Sequence, residues 1–370
     1  MKIGILTWHY YLNFGSALQA YALKETLETA LPNKNKVEII NYRNPKHGIP
    51  SNFKNKLRLL VSYLFSNQGI FLNRRVTYPF LRFQNDYLKV ENPFCSNELL
   101  IKKAKEFDIV VCGSDQIWAP TLFDPTYFLD FVPNNIKKIS YAASIGLNDI
   151  PSELTQKYNE LLNNFTAVSV RENKAKKLLF DKCNINAEVV LDPTLMLDIN
   201  KWKKLERKPT DVDFDFTKPY IFCYFLNENN TYKNSVINYA QRNNLQIIGY
   251  SLNKNDSSYM YDLTGIIGPR EFLWVLSNAY IVVTDSYHGT IFSLLNEKRF
   301  ITFERFLENS PICQNSRILQ LKEYFNIDNR IIKGDVESFE VCNVNYQEIN
   351  KKLLILREKS LGFIKKALEK

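Results

Sequence analysis

Short apolar runs alternate along the chain with longer stretches whose apolar positions recur at helical spacing. The runs Lys2–Trp8, Lys36–Ile40, Asp108–Cys112, Lys138–Ala143, Ala167–Val170 and Glu188–Leu191 are rich in Val and Ile and do not alternate, as strands buried on both faces do. Ser16–Ala30 reads as a helix opened by a capping box, Ser16 with Gln19 three residues on. The stretch 202–218 is polar, with Lys203, Lys204, Asp211, Asp213 and Asp215, and is expected to be an inter-domain linker. Beyond it the pattern restarts. Strands are predicted at Pro219–Phe225, Leu245–Tyr250, Tyr280–Thr284 and Arg299–Phe303, helices at Asn230–Arg242, Arg270–Ala279, Thr290–Asn296 and Tyr346–Leu368. Strands alternating with helices predict parallel sheets, hence two Rossmann-like α/β domains facing across a cleft. The domains are expected at 1–201 and 219–345, with the final helix 346–368 a candidate addition to the first. Ligands in such sheets bind beyond the carboxyl ends of the strands.

The 370 residues are 45% hydrophobic, which excludes a disordered chain. No run approaches the ~18 apolar residues of a spanning helix. The first apolar run is short and no cleavage site follows it, and the six cysteines are scattered, so a cytoplasmic protein with reduced thiols is expected. The net charge is +9 and unevenly placed. Residues 51–90 hold seven Lys/Arg against one acid, and residues 351–370 seven against two. The remainder is slightly acidic, which favours two local anion-facing segments over a nucleic-acid groove.

Candidate chemistry sits at strand ends. His9 follows the first strand, and His288 lies in the loop after Tyr280–Thr284, beside Ser286; histidine suits proton transfer near neutral pH. Gly15 and Ser16 open the first helix, where free amides and the helix dipole can hold an anion. Ser114 and Asp115 follow the Asp108–Cys112 strand, and Gly268-Pro269-Arg270-Glu271 opens another helix. Arg171, at the end of Ala167–Val170, can fork a carboxylate or phosphate, or pair with Glu172 or Asp192. Arg317 has the same two readings. No H-E-x-x-H, P-loop, G-x-S-x-G or metal-spaced Asp cluster is present, so neither a metal nor a resident cofactor is expected.

In order along the chain, these blocks resemble the polysaccharide pyruvyl transferase family. They are Gly4-Ile5-Leu6-Thr7-Trp8-His9-Tyr10, Asn13-Phe14-Gly15-Ser16-Ala17-Leu18-Gln19-Ala20-Tyr21, Gly113-Ser114-Asp115-Gln116-Ile117-Trp118 and Tyr141-Ala142-Ala143-Ser144-Ile145-Gly146. Ser169-Val170-Arg171-Glu172, Asp192-Pro193-Thr194 and Thr284-Asp285-Ser286-Tyr287-His288-Gly289-Thr290 follow. The resemblance implies a fold similar to two-domain GT-B glycosyltransferases. It also implies transfer of pyruvate from phosphoenolpyruvate to a sugar of a surface-glycan (exopolysaccharide or capsule) precursor, usually as a cyclic ketal. It ties His288 to the active site. Many members read Arg-x-His-Gly at that block, whereas this chain has Ser286 in place of the arginine. On this reading His288 is the acid/base and Asp115 orients a sugar hydroxyl. Arg171 clamps an anion, and Gly15, Ser16, His9, Ser114, Ser286 and Arg317 line the substrates.

Two other readings stand beside it. A nucleotide-sugar GT-B glycosyltransferase shares the fold, but Gly289–Asn296 offers no acid before Glu297 to hold a ribose. A non-enzymatic glycan- or anion-binding protein would bind without turnover. The segment 57–72 with Arg58, Arg74 and Arg75, and the final helix with Leu353, Leu354, Leu356, Leu361, Ile364 and Leu368, are basic and amphipathic. They are expected to pack on the domains; the alternative is peripheral contact with an anionic membrane at its inner face, where a lipid-linked oligosaccharide acceptor would reside.

Overall fold

Parallel pairing on both edges buries every residue of β1 (Lys2–Leu6) after Lys2. The computed structural model describes residues 1–31, 35–43, 77–94, 96–227, 230–251, 260–307, 309–310, 312–333, 338–341 and 344–369. The amphipathic segment 57–72 with Arg58, Arg74 and Arg75 lies outside the described residues. The chain divides into two units, 1–197 with 356–370, and 198–355.

In the first unit β1 leads through α1 (Phe14–Thr29) to β2 (Lys36–Ile39). Then come α2 (Asn97–Ala104), β3 (Ile109–Cys112), β4 (Lys137–Ser140), α3 (Ser152–Leu162), β5 (Ser169–Val170), α4 (Asn173–Cys183), β6 (Glu188–Val189) and α5 (Pro193–Met196). The sheet order is β2-β1-β3-β4, all parallel, with Ile5 level with both Ile39 and Val111. Bridges Ile139↔Ala167 and Ala143↔Val170 carry the order on to β5, which pairs with β6. The winding therefore reverses between β1 and β3.

The start of α1 differs from the expected capping box. Asn13 is the N-cap, its side chain accepting from the Ser16 amide at 3.2 Å. The helix begins two residues earlier than the spacing predicts, and the Ser16 hydroxyl is released for another partner.

The second unit runs α6 (Ile199–Leu205), β7 (Tyr220–Phe225), α7 (Asn230–Asn243), β8 (Gln246–Ser251), β9 (Tyr261–Asp262), α8 (Pro269–Asn278), β10 (Ile281–Thr284), α9 (Tyr287–Leu295), β11 (Arg299–Phe303), α10 (Ser316–Phe325) and β12 (Ile331–Ile332). The parallel order β12-β11-β10-β7-β8-β9 reverses between β7 and β10. Residues 202–218 begin inside α6. Trp202 is buried edge-on against Phe292 at 5.0 Å, and Phe214 and Phe216 each pack on Tyr220 at 5.7 Å. Interspersed aromatic residues thus attach this charged stretch to the second unit.

The last helix, α11 (Tyr346–Glu369), starts among the residues of the second unit and ends in the first. Phe363, Ile364, Ala367 and Leu368 close over Leu27, Val111, Ile139 and Tyr141. Ser360 Oγ accepts from the Leu191 amide at 2.9 Å. Arg357 donates from Nε to the Leu195 carbonyl at 2.5 Å and from Nη2 to the Leu197 carbonyl at 2.7 Å. Leu353, Ile364 and Leu368 are buried, while Leu354 and Ile355 are exposed. The helix spends most of its apolar face on packing. No helix among the described residues is long and apolar enough to cross a membrane.

Charge-assisted bonds to backbone carbonyls contribute about 1.5–3 kcal/mol. Arg357→Ala is therefore expected to lower the unfolding free energy by about that amount in urea titrations. Arg357→Lys should restore less than half, because an ammonium cannot reproduce the guanidinium fork.

Candidate functional site

Both reversals in strand order leave a gap at the carboxyl edge of the sheet, and side chains span it in each unit. In the first, the Gln19 amide ties the β1 and β3 loops together. Its Nε2 donates to Thr7 Oγ1 and the Trp8 carbonyl, both at 2.9 Å, and its Oε1 accepts from the Ser114 amide at 3.2 Å. Gly113 has φ +121°, and a Cβ there would meet the Tyr141 carbonyl oxygen at 2.0 Å, so only glycine fits. The turn carries Asp115 into the left-handed region at φ +70°. Ser16 Oγ donates to Asp115 Oδ2 at 2.7 Å, and the Gln116 amide donates to Oδ1 at 2.9 Å. The anion at the start of α1 is thus the protein's own Asp115, where the helix dipole favours it. Gly15 is buried in that same turn.

Arg171 lies behind Asp115. Its Nη1 donates to Asp192 Oδ2 at 2.6 Å and its Nε to Glu172 Oε1 at 3.1 Å, with Nη2 at 3.9 Å from Asp115 Oδ1. Ser144 Oγ adds a 2.6 Å bond to Glu172, and Thr194 donates its amide and hydroxyl to Asp192. Ser114 Oγ donates to the Ala142 carbonyl at 2.9 Å and lies 3.4 Å from Asp192 Oδ2. One guanidinium therefore faces three buried carboxylates. Of the sequence's two readings of Arg171, its fork is engaged in the paired one, and only 2% of the residue is exposed.

His9 is fully enclosed. Nδ1 contacts the Thr7 carbonyl and Nε2 contacts Asn41 Oδ1, each at 3.0 Å, and burial holds its pKa below the ordinary 6.5. The ring braces the β1 loop and offers no surface to a ligand. Its neighbours Trp8, Tyr10 and Tyr11 are half-buried instead.

In the second unit Asp285 spans the gap. Its Oδ1 accepts from the Leu226 amide at 2.7 Å and its Oδ2 from the Asn227 amide at 3.0 Å. Burial pushes the carboxyl up to about 6, opposed by Arg305 and these amides. Ser286 is the N-cap of α9, its Oγ accepting from the Gly289 amide at 3.3 Å. His288 was expected on an open loop. It sits in the first turn of α9, buried, with its ring edge-on to Tyr287 at 5.1 Å, because the helix starts three residues earlier than the apolar spacing predicts. The Arg317 guanidinium lies 5.7 Å from the centre of the Tyr287 ring. Gln314 Oε1 accepts from Arg317 Nη2 at 2.8 Å and from Arg305 Nη2 at 3.3 Å, so two guanidiniums meet on one amide oxygen. The sequence reading missed Arg305. It lies two residues past β11, and the strand-end rule that selected His288 would have found it.

Ser16, Ser114, Asp115 and Arg171 thus come together in the first unit, and Ser286, His288 and Arg317 in the second. This is an α/β protein of two parallel, doubly wound sheets, each with a polar cluster where its winding reverses. The chain belongs to the polysaccharide pyruvyl transferase family, whose model matches residues 13–305. Membership makes it a polysaccharide-modifying transferase. Similar solved structures include UDP-GlcNAc 2-epimerase of Methanocaldococcus jannaschii in complex with UDP-GlcNAc and UDP. It is 15% identical over 96% of this chain and 92% of that one, with a TM-score of 0.48. The UDP-GlcNAc 2-epimerase of Neisseria meningitidis is 14% identical over 98% and 94%, at 0.48. The E. coli ADP-heptose LPS heptosyltransferase II is 11% identical over 97% and 99%, at 0.43. No curated protein matches the sequence.

Two predictions follow from the clusters themselves. Removing one partner of a buried ion pair costs about 3–5 kcal/mol, so Arg171→Met is expected to lose about that much stability in denaturant. Asp285 binds its proton more tightly when folded than at its ordinary 3.8. Its contribution to stability is therefore full below about 4 and lost as pH rises through about 6. Urea unfolding from about pH 4 to about pH 7 should show a flatter profile for Asp285→Asn than for the wild type; parallel profiles would refute the assignment.

Proposed function

We propose that this protein moves the pyruvyl group of phosphoenolpyruvate onto two hydroxyls of a sugar in a surface-glycan precursor, forming a ketal and releasing phosphate. The observation that carries the reading is the second-unit cluster, in which Arg305 and Arg317 converge on Gln314 Oε1 beside the His288 turn. The donor presents a carboxylate and a phosphate, and planar guanidiniums suit both. With Ser286 serving as a helix cap, these two arginines supply the positive charge that the family's Arg-x-His-Gly pattern places at position 286.

The chemistry needs a proton at the enol methylene and removal of protons from two hydroxyls. His288 gives its proton to the methylene carbon, producing the methyl group, while the first sugar oxygen bonds to the central carbon. The carbon–oxygen bond to phosphate then breaks. The second hydroxyl closes the ring, one hydroxyl proton restoring His288 and the other leaving with phosphate. An imidazole can both give and take a proton near neutral pH. Asp115, held by Ser16 Oγ and the Gln116 amide, is the carboxylate suited to orient an acceptor hydroxyl.

Incubation with phosphoenolpyruvate and a lipid-linked oligosaccharide extract should release phosphate and add the mass of a pyruvyl ketal to the glycan. His288→Ala should lower that turnover by about 10²–10⁴-fold while the protein stays folded. Normal turnover in a folded variant would remove His288 from the mechanism.

A further inference from the structure

The residues after β1 alternate inward and outward. Thr7 and His9 are buried, whereas Trp8 and Tyr10 are half-buried on the other side, with Tyr11 beside them. The inward pair is fixed by polar contacts: Thr7 Oγ1 donates to the Ser114 carbonyl at 3.2 Å, and each His9 nitrogen lies 3.0 Å from an oxygen, one of the two contacts taking the ring's N–H. The rings of Trp8, Tyr10 and Tyr11 are only part-buried. They pack on one another. Trp8 and Tyr11 meet edge-on at 5.3 Å, Tyr10 and Tyr11 lie 4.6 Å apart at 31°, and Trp8 backs onto the buried Tyr127 at 6.5 Å. Arg43 covers Tyr10 at 5.7 Å from its ring centre. This group stands where the strand order reverses between β1 and β3, the place where open α/β sheets bind ligands. Burial first, then Tyr10, and then Asp115 in the loop after the neighbouring β3 push the Tyr11 phenol above its ordinary pKa.

We propose that Trp8, Tyr10 and Tyr11 form a stacking platform for one pyranose ring of the acceptor glycan, with the Ser16–Asp115 pair at its polar edge. The chemistry of a sugar matches both parts. A pyranose has an apolar face of C–H groups, which large rigid rings cover at low entropic cost, and a rim of hydroxyls, which a carboxylate and a hydroxyl can accept from and donate to. The inference rests on the reading of the chain as a glycan-directed transferase and adds where the glycan is held.

Saturation-transfer NMR and tryptophan fluorescence with a panel of methyl hexopyranosides and N-acetylhexosaminides, alongside UDP, test it on the full chain. At least one sugar should bind the wild type, and Tyr10→Ala or Tyr11→Ala should weaken that sugar by about tenfold. Tyr11→Phe, which keeps the ring, should retain most of the affinity and guards against loss through misfolding. Unchanged affinity in both alanine variants, no binding by any sugar, or binding of UDP alone at these rings would overturn the platform. Sugar binding that depends on the rings, in a protein that transfers no pyruvate from phosphoenolpyruvate, would leave the platform standing and remove the proposed reaction instead.

Discussion

The rest of the structure depends on an aspartate at the point where each sheet reverses its winding. Where successive strands go to opposite sides, the loops leaving adjacent strands diverge, and their first polar groups lose the partners a continuing ladder would provide. Asp115 and Asp285 each follow the strand beside the reversal and reach across to the neighbouring loop or helix. Asp115 takes the Ser16 hydroxyl; Asp285 takes the Leu226 and Asn227 amides. Each carboxylate is buried, so each needs a nearby cation to be tolerable. That requirement accounts for Arg171 in one unit and Arg305 in the other.

Much of this organisation was legible in the chain. The unalternated Val/Ile runs marked the long parallel strands to within a few residues, because burial on both faces leaves no polar positions to confuse the pattern. The polar roles were harder to read. Ser16 looked like a cap, yet Asn13 caps the helix by accepting from the Ser16 amide, and the Ser16 hydroxyl turns to Asp115, a residue 99 positions away. The two partners for Arg171 were both visible in sequence, but their combination with Asp115 depends on three strand ends meeting. Trp202 shows the same limit from the opposite direction. Its surroundings in sequence are charged, and only the contact with Phe292 makes it core.

Ser286 illustrates how one position can serve either a helix or a ligand. A serine hydroxyl can fold back and accept from the Gly289 amide, which a guanidinium, having no acceptor, cannot. The serine cap strengthens the start of α9. Arg305 and Arg317 stand close by on other elements, and Gln314 holds two like charges together through a single neutral oxygen.

The route of α11 has a consequence for how the chain is made. Val111, Ile139 and Tyr141 present an apolar sheet surface whose cover, Phe363 to Leu368, is encoded more than 200 residues later. A ribosome adds about 5–20 residues per second, so that surface emerges many seconds before its lid exists. The second unit, continuous from 198 to 355, has all its residues in hand first. The first unit begins synthesis earlier and finishes folding later, leaving a greasy face for a chaperone to guard in the interval.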